Sequence, residues 1–153
     1  MMIREASIYT LKKLSSEDLR SYGVRVLTMR RWPRGIAHKD LDFWLPSAGP
    51  SMELLVALHT KVLTWDQFLA RYLEEQEQQE SCRVVSYERD MSHSETYACR
   101  SLDYLAHLVQ EREIVTLLCW EQDEHCHRFA LAQRLARLIM DGSSIQQGDA
   151  PCH

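Results

Sequence analysis

The sequence predicts an α/β fold in three layers, a small and mainly parallel sheet with helices packed on both faces. Three observations carry that reading. Val115-Thr116-Leu117-Leu118-Cys119 is a short apolar run of the kind shown by a strand buried on both faces. Two strand-like runs near the N-terminus flank a helical turn, over a span that fits a right-handed crossover. Later segments repeat their apolar residues at one-face helical spacing. At 153 residues the chain has room for one domain with a real core, read as residues 1–141 ahead of a flexible tail at 142–153.

Taken in order, Ala6 to Leu11 reads as the first strand. Ser15 or Ser16 starts a helical turn with Glu17 and Asp18 in its first turn, and Gly23 ends it. Val24 to Met29 is the second strand. Arg30-Arg31-Trp32-Pro33-Arg34-Gly35 is a basic loop whose Pro and Gly fix its path. His38 to Leu45 predicts a short helix stopped by Pro46, and Ser51 caps another from Met52 to about His59. Thr64-Trp65-Asp66-Gln67 is a capping box, opening a helix with Trp65, Phe68, Leu69 and Tyr72 on one face. Its polar continuation from Glu74 to Glu80 reads as a solvated end. Arg83 to Tyr87 is either a minor strand or an irregular connection. Ser92 with Glu95 forms a second capping box, for a helix that turns Ala98, Leu102, Leu105, Leu108 and Val109 inward. The Val115 strand and a helix opened by Cys126, His127 and Arg128 come next, and from Gly142 the composition is that of a poorly ordered tail.

Composition narrows the function. A hydrophobic share of 45% and a charged share of 26% are ordinary for a globular protein. A formal charge of -4 argues against general duplex-DNA binding but leaves room for a local basic pocket. No run approaches the ~18 apolar residues of a membrane helix, and Met1 to Glu5 lacks a signal-peptide core. Five cysteines without a dense pattern suit a reducing compartment, so the expected location is cytoplasmic. There is no Gly-rich dinucleotide fingerprint, no P-loop and no Gly-x-Ser-x-Gly elbow, which weighs against conventional NAD enzymes, nucleoside triphosphatases and serine hydrolases.

The chemistry is concentrated between Leu117 and Arg128. Open α/β sheets bind ligands just outside the carboxyl ends of their strands, and here a buried strand breaks into Cys119, Glu121, His125, Cys126, His127 and Arg128. Arg128 falls on the same helical stripe as Leu131, Ala132 and Leu135, so it points at the core and needs a partner. It is either a brace paired with Glu121 or another carboxylate, or a grip on a bound anion at a helix N-terminus. Cys126, beside basic groups at that N-terminus, is a candidate thiolate nucleophile, whereas Cys119 reads as a buried thiol. Glu121 is a candidate proton-transfer group, and Asp123 and Glu124 read as solvated charges. Cys119, Glu121, His125, Cys126 and His127 are ligand types for zinc or iron, but their order reproduces no paired framework, and His125 and His127 diverge by about 200 degrees on a helix. No metal is assigned on that basis. Arg31 and Arg34 leave the second strand at the same sheet edge and are suited to bidentate anion recognition; the alternative is that they pair locally with Asp40, Asp42 or Glu53.

Two segments together carry a family resemblance. Met29-Arg30-Arg31-Trp32-Pro33-Arg34-Gly35-Ile36, with Leu41-Asp42-Phe43-Trp44-Leu45 and Pro50-Ser51-x-Glu53-Leu54-Leu55, is one. Leu117-Leu118-Cys119-x-Glu121 with Cys126-His127-Arg128 is the other, and Trp65, Phe68 and Tyr72 add a W-x-x-F-x-x-x-Y pattern. These resemble the family catalogued as domain of unknown function 488 (YeaO-like proteins), over a span from about Ile8 to Ile139. The resemblance implies a small Rossmann-like α/β fold and no established activity. The residues around Glu80 to Ser94 depart from its shorter members.

The resulting expectation is an enzyme-like site for a phosphate- or carboxylate-bearing small molecule, such as a nucleotide or nucleic-acid fragment. Glu121, Cys126 and His127 would be its catalytic groups, and Arg31, Arg34, Ser51, Cys119 and Arg128 its ligand-binding groups, with no cofactor identified. The alternatives are a non-catalytic module in which the same cluster is a structural brace, and a thiol- or metal-dependent enzyme.

Overall fold

The computed structural model describes residues 1–88, 92–121 and 125–142. The flexibility read for the tail, and the solvation of Asp123 and Glu124, fall outside the described residues. The chain runs β1 (Met2–Ser7), α1 (Ile8–Lys12), α2 (Ser16–Leu19), β2 (Val24–Leu27), β3 (Phe43–Trp44), α3 (Met52–His59), α4 (Trp65–Glu77), β4 (Cys82–Ser86), β5 (His93–Tyr97), α5 (Ser101–Glu111), β6 (Ile114–Cys119) and α6 (His127–Met140). Single 3-10 turns lie at Arg20–Tyr22, His38–Asp40 and Pro46–Ala48.

The six strands form one mixed sheet in the order β1-β6-β2-β3-β4-β5. β6 pairs in parallel with β1 on one side and β2 on the other, and β3 continues the parallel half. β4 and β5 extend it antiparallel. Because successive strand residues face opposite sides, Leu117 and Val26 enter one apolar cluster while Leu118 and Leu27 enter the other. The larger cluster receives Phe68 and Tyr72 from α4, Leu102 and Leu105 from α5, and Leu131 and Leu135 from α6. The smaller is built with Ile8 and Leu11 of α1, and Ile36 and Leu41. Helices therefore cover both faces.

Three predicted elements are corrected. The first strand lies at Met2–Ser7, and Ile8 to Leu11 begin a helix instead. Ile8 and Leu11 stand three residues apart and are both fully buried, a helical spacing that the short apolar window hides. The polar residues Arg4 and Glu5 are accommodated because β1 is the edge strand. Nor do β1 and β2 pair with each other, since β6 is inserted between them.

The helix expected over His38 to Leu45 is a 3-10 turn followed by β3. Asp40 accepts the Ala37 N–H at 2.8 Å, and Asp42 accepts the Arg25 N–H at 2.8 Å. The first bond caps the start of the turn, and the second ties the segment after it to β2, with Phe43 and Trp44 in register with Val26 and Leu27. The Ser92–Glu95 capping box is not one: His93–Tyr97 is β5, paired with β4, and α5 begins at Ser101. Asp103 makes the α5 cap, accepting from the Arg100 N–H at 3.2 Å and from its guanidinium at 2.8 Å. The polar end of α4 is not wholly solvated either, because Gln76 is buried and its Nε2 donates to the Ser47 carbonyl.

The Ser51 and Thr64 caps form as expected, with Leu54 N–H donating to Ser51 Oγ and Gln67 N–H to Thr64 Oγ1. Tyr72 is fully buried and its hydroxyl donates to the Ala48 carbonyl at 2.6 Å, pinning α4 to the turn after β3. Tyr72→Phe leaves that buried carbonyl without its partner and should lower stability by about 1–3 kcal/mol. Urea unfolding checks this; an unchanged midpoint contradicts the assignment.

Candidate active site

The parallel pairing of β2 and β6 brings two loops to one sheet edge. After β2 the chain passes through Thr28, Met29, Arg30 and Arg31, and after β6 through Trp120 and Glu121, before Cys126 caps α6. Thr28 joins the two, its N–H and hydroxyl both donating to the Leu118 carbonyl at 2.9 and 3.0 Å. Its own carbonyl accepts from His127 Nε2 at 2.6 Å. The start of α6 is therefore tied directly to the end of β2.

A cavity of about 280 Å³ opens between these loops and α3. Its polar groups are Arg30, Arg31, His59, Glu121 and His127. Met29, Met52, Leu55, Val56 and Trp120 supply apolar wall. Arg30 is partly committed to the loop, with Nη2 donating to the Gly49 carbonyl at 3.0 Å. Gly49 lets the two main chains pass closely, since a Cβ there would lie 2.5 Å from the Arg30 backbone nitrogen. Arg31 is exposed and has no ion pair among the described residues. It is the cation available to a ligand.

His127 is buried, and burial together with the nearby Arg128 charge pushes its pKa down to about 4, against the opposing pull of the Thr28 carbonyl. The imidazole is neutral at pH 7. With Nε2–H given to Thr28, its Nδ1 lone pair faces Cys126 Sγ at 3.8 Å. Its ring meets Tyr72 edge to face with centroids 5.3 Å apart.

Arg128 is 4% exposed, inward as its helical stripe requires. Its carboxylate partner is Glu5 on β1, Nε to Oε2 at 2.8 Å, rather than the carboxylate of Glu121. Glu121 supplies its main-chain carbonyl to Nη1, which also approaches Cys119 Sγ at 3.3 Å. Arg128 thus clamps α6 to β1 and to the end of β6. The guanidinium addresses the sulfur of Cys119, not that of Cys126. Both cysteines are buried and are joined to each other as a disulfide, with their Cα atoms 7.6 Å apart.

The structure brings Arg31, Glu121 and His127 to the cavity, with Cys119, Cys126 and Arg128 packed behind. Arg34 is not among the cavity's lining residues; it is exposed and its carbonyl accepts from the Tyr9 hydroxyl at 2.8 Å. Ser51 works as the cap of α3, and its N–H donates to Glu75 at 3.1 Å. Sequence reasoning missed Glu5, which lies 123 positions from Arg128 and carries no local motif. It also missed Thr28, which acts through its backbone, and the α3 wall with Met52, Leu55 and His59. The basic loop did signal Arg30.

The clamp makes an asymmetric prediction. Arg128 has a side chain 5% exposed, while that of Glu5 keeps 32%. Glu5→Leu strands a buried guanidinium and should destabilise by about 3–5 kcal/mol. Arg128→Met strands a carboxylate that solvent still reaches, and should cost about 1–3 kcal/mol. Denaturant unfolding of the two variants gives the order, and a larger loss for Arg128→Met contradicts it.

Comparison with known proteins agrees with the sequence resemblance. The uncharacterized protein YeaO of Escherichia coli (strain K12) is 38% identical over 78 residues, spanning 48% of this chain and 68% of the relative. No solved structure matches the chain. The family model described as "Active DUF488-N3 subclade" matches residues 9–138, so the protein belongs to the DUF488 family.

Proposed function

We propose that this chain is an enzyme acting on a small phosphate- or carboxylate-bearing molecule with a flat or apolar body, such as a nucleotide, held in the cavity between β2, β6 and α3. The observation that carries the proposal is the pairing of an apolar wall with an uncommitted cation, Arg31, and a half-buried carboxylate, Glu121, at one mouth. Ligand sites commonly combine such a wall with a few placed polar groups. The position of the cavity, at the carboxyl ends of parallel strands, is the Rossmann-like place for chemistry.

In this reading Arg31 binds the anion and Glu121 takes or gives a proton at the bound molecule. His127, neutral and fixed by Thr28, orients the wall beside it. Arg128 has the brace role, since Glu5 takes its Nε and Cys119 and the Glu121 carbonyl take its Nη1. The matched subclade's description as active supports an enzyme over an inert module. No helix among the described residues is long and apolar enough to cross a membrane. A cytoplasmic location belongs to the proposal, on the cysteine content that suits a reducing compartment.

Calorimetric titration with nucleoside monophosphates and with inorganic phosphate tests this. Binding should favour the nucleotides, and Arg31→Met should weaken it about 10- to 100-fold, as expected for a charge-assisted bond. The exposed Arg137→Met changes net charge equally and should leave binding as it was. No binding by any anion, or equal losses in both variants, overturns the proposal.

A further inference from the structure

The turn from β6 into α6 gathers four metal-ligating groups behind the cavity wall. Sγ of Cys119, Sγ of Cys126, a carboxylate oxygen of Glu121 and a ring nitrogen of His127 all lie within 4.8 Å of one another. Cys119 Sγ is 3.7 Å from Glu121 Oε2, and Cys126 Sγ is 3.8 Å from His127 Nδ1. A tetrahedral ion with ligand bonds of about 2.0–2.3 Å needs ligand-to-ligand edges of about 3.3–3.8 Å. These two edges already have that length, while the two sulfurs are bonded to each other and have to part on reduction to make a third. The divergence of His125 and His127 is no obstacle, because His125 is not one of the four.

Three further observations point to an ion. A metal-binding histidine usually gives its other ring N–H to a carbonyl or carboxylate, and His127 Nε2 is held at 2.6 Å by Thr28, which turns Nδ1 toward the cluster. Two thiolates and a carboxylate around a dication leave one negative charge, and the Arg128 guanidinium stands 3.3 Å from Cys119 Sγ to face it. The Cα atoms of the two cysteines, 7.6 Å apart, lie beyond the roughly 4.4–6.8 Å usual for a disulfide. Two thiolates that share an ion accept the wider spacing.

We infer that the reduced chain binds one zinc ion through Cys119, Glu121, Cys126 and His127. Two sulfurs with one nitrogen and one oxygen suit zinc over magnesium or calcium. A thiol reductant first cleaves the Cys119–Cys126 bond, supplying two electrons and two protons and leaving as its own disulfide; on zinc binding each thiol then releases its proton to solvent and no other bond changes. Cys119, Cys126 and His127 are buried, whereas Glu121 is half-buried on the cavity wall. Glu121 is therefore the ligand that an incoming oxygen would displace, leaving a two-cysteine, one-histidine centre with an open position, as catalytic zinc sites have. The inference is independent of anion binding at Arg31, since a zinc ion here also closes the β6–α6 turn without a substrate; in the zinc-loaded chain Glu121 serves proton transfer only once it has left the ion.

The test is a titration of the full chain, reduced and stripped with a chelator, first with zinc by calorimetry and then with cobalt(II) by absorption. Zinc should saturate at one equivalent, and cobalt should show thiolate charge-transfer and tetrahedral bands. Cys119→Ser and Cys126→Ser should each weaken zinc binding about 100-fold or more, given that even outer-shell partners contribute about 10- to 100-fold. Should either variant fail to fold, alkylation of the parent protein decides: zinc should protect Cys119 and Cys126 and leave the labelling of Cys82 unchanged. No zinc uptake by the folded, reduced parent overturns the inference, as does uptake that protects neither cysteine. Arg31→Met should bind zinc as the parent does, so loss of anion binding and loss of zinc binding are separable results.

Discussion

The insertion of β6 between β1 and β2 is the constraint on which the rest of the molecule depends. Its residues from Val115 to Cys119 are buried, and it is hydrogen-bonded in parallel on both sides. Leu117 and Leu118 face opposite clusters, so a slip of one residue would exchange the two faces along the whole strand. The same register sets the site. It places Ser7, Leu27 and Cys119 at one edge, and Thr28 then reaches back to Leu118 and forward to His127.

Around the carboxyl end of β6, two cations divide the labour. Arg128 is taken out of water and surrounded by Glu5, the Glu121 carbonyl and Cys119. A buried guanidinium is tolerable only with such partners, and meeting them fixes how α6 sits against β1 and β6. Arg31 keeps its hydration and its freedom at the cavity mouth. A residue that must recruit an anion from solution has to remain uncommitted, and a residue that must hold a helix cannot. On the proposed function, the two arginines would differ in role because they differ in burial.

How much of this is legible in the sequence depends on the range of the determining interactions. The caps at Ser51 and Thr64, the buried β6 run and the inward stripe of α6 are set by residues within a few positions, and each can be read. β1, β3 and β5 escape a local reading because their identity depends on distant partners. Met2 to Ser7 is a strand only because β6 lies beside it, and Phe43–Trp44 only because β2 does. His93 to Tyr97 overlaps a capping pattern, and pairing with β4 decides against it. At the site, the cluster from Cys119 to Arg128 is visible as one stretch of chain. Glu5 is not, since an edge-strand carboxylate has no local signature for a guanidinium 123 residues away.

The buried cysteines Cys119 and Cys126 show why residue type and spacing alone assign chemistry poorly. By position, Cys126 at a helix N-terminus has the features of an activated thiol. In the fold, the guanidinium lies against Cys119, the neighbouring imidazole is neutral with its lone pair toward Cys126, and both sulfurs are sealed from solvent. A nucleophile has to meet its substrate, and neither sulfur lines the cavity. A ligand atom has no such requirement: it needs its proton removed and its partners held at about tetrahedral distances. The same seclusion that argues against attack on a substrate favours coordination, with Glu121 as the member of the set that touches both the cluster and the cavity.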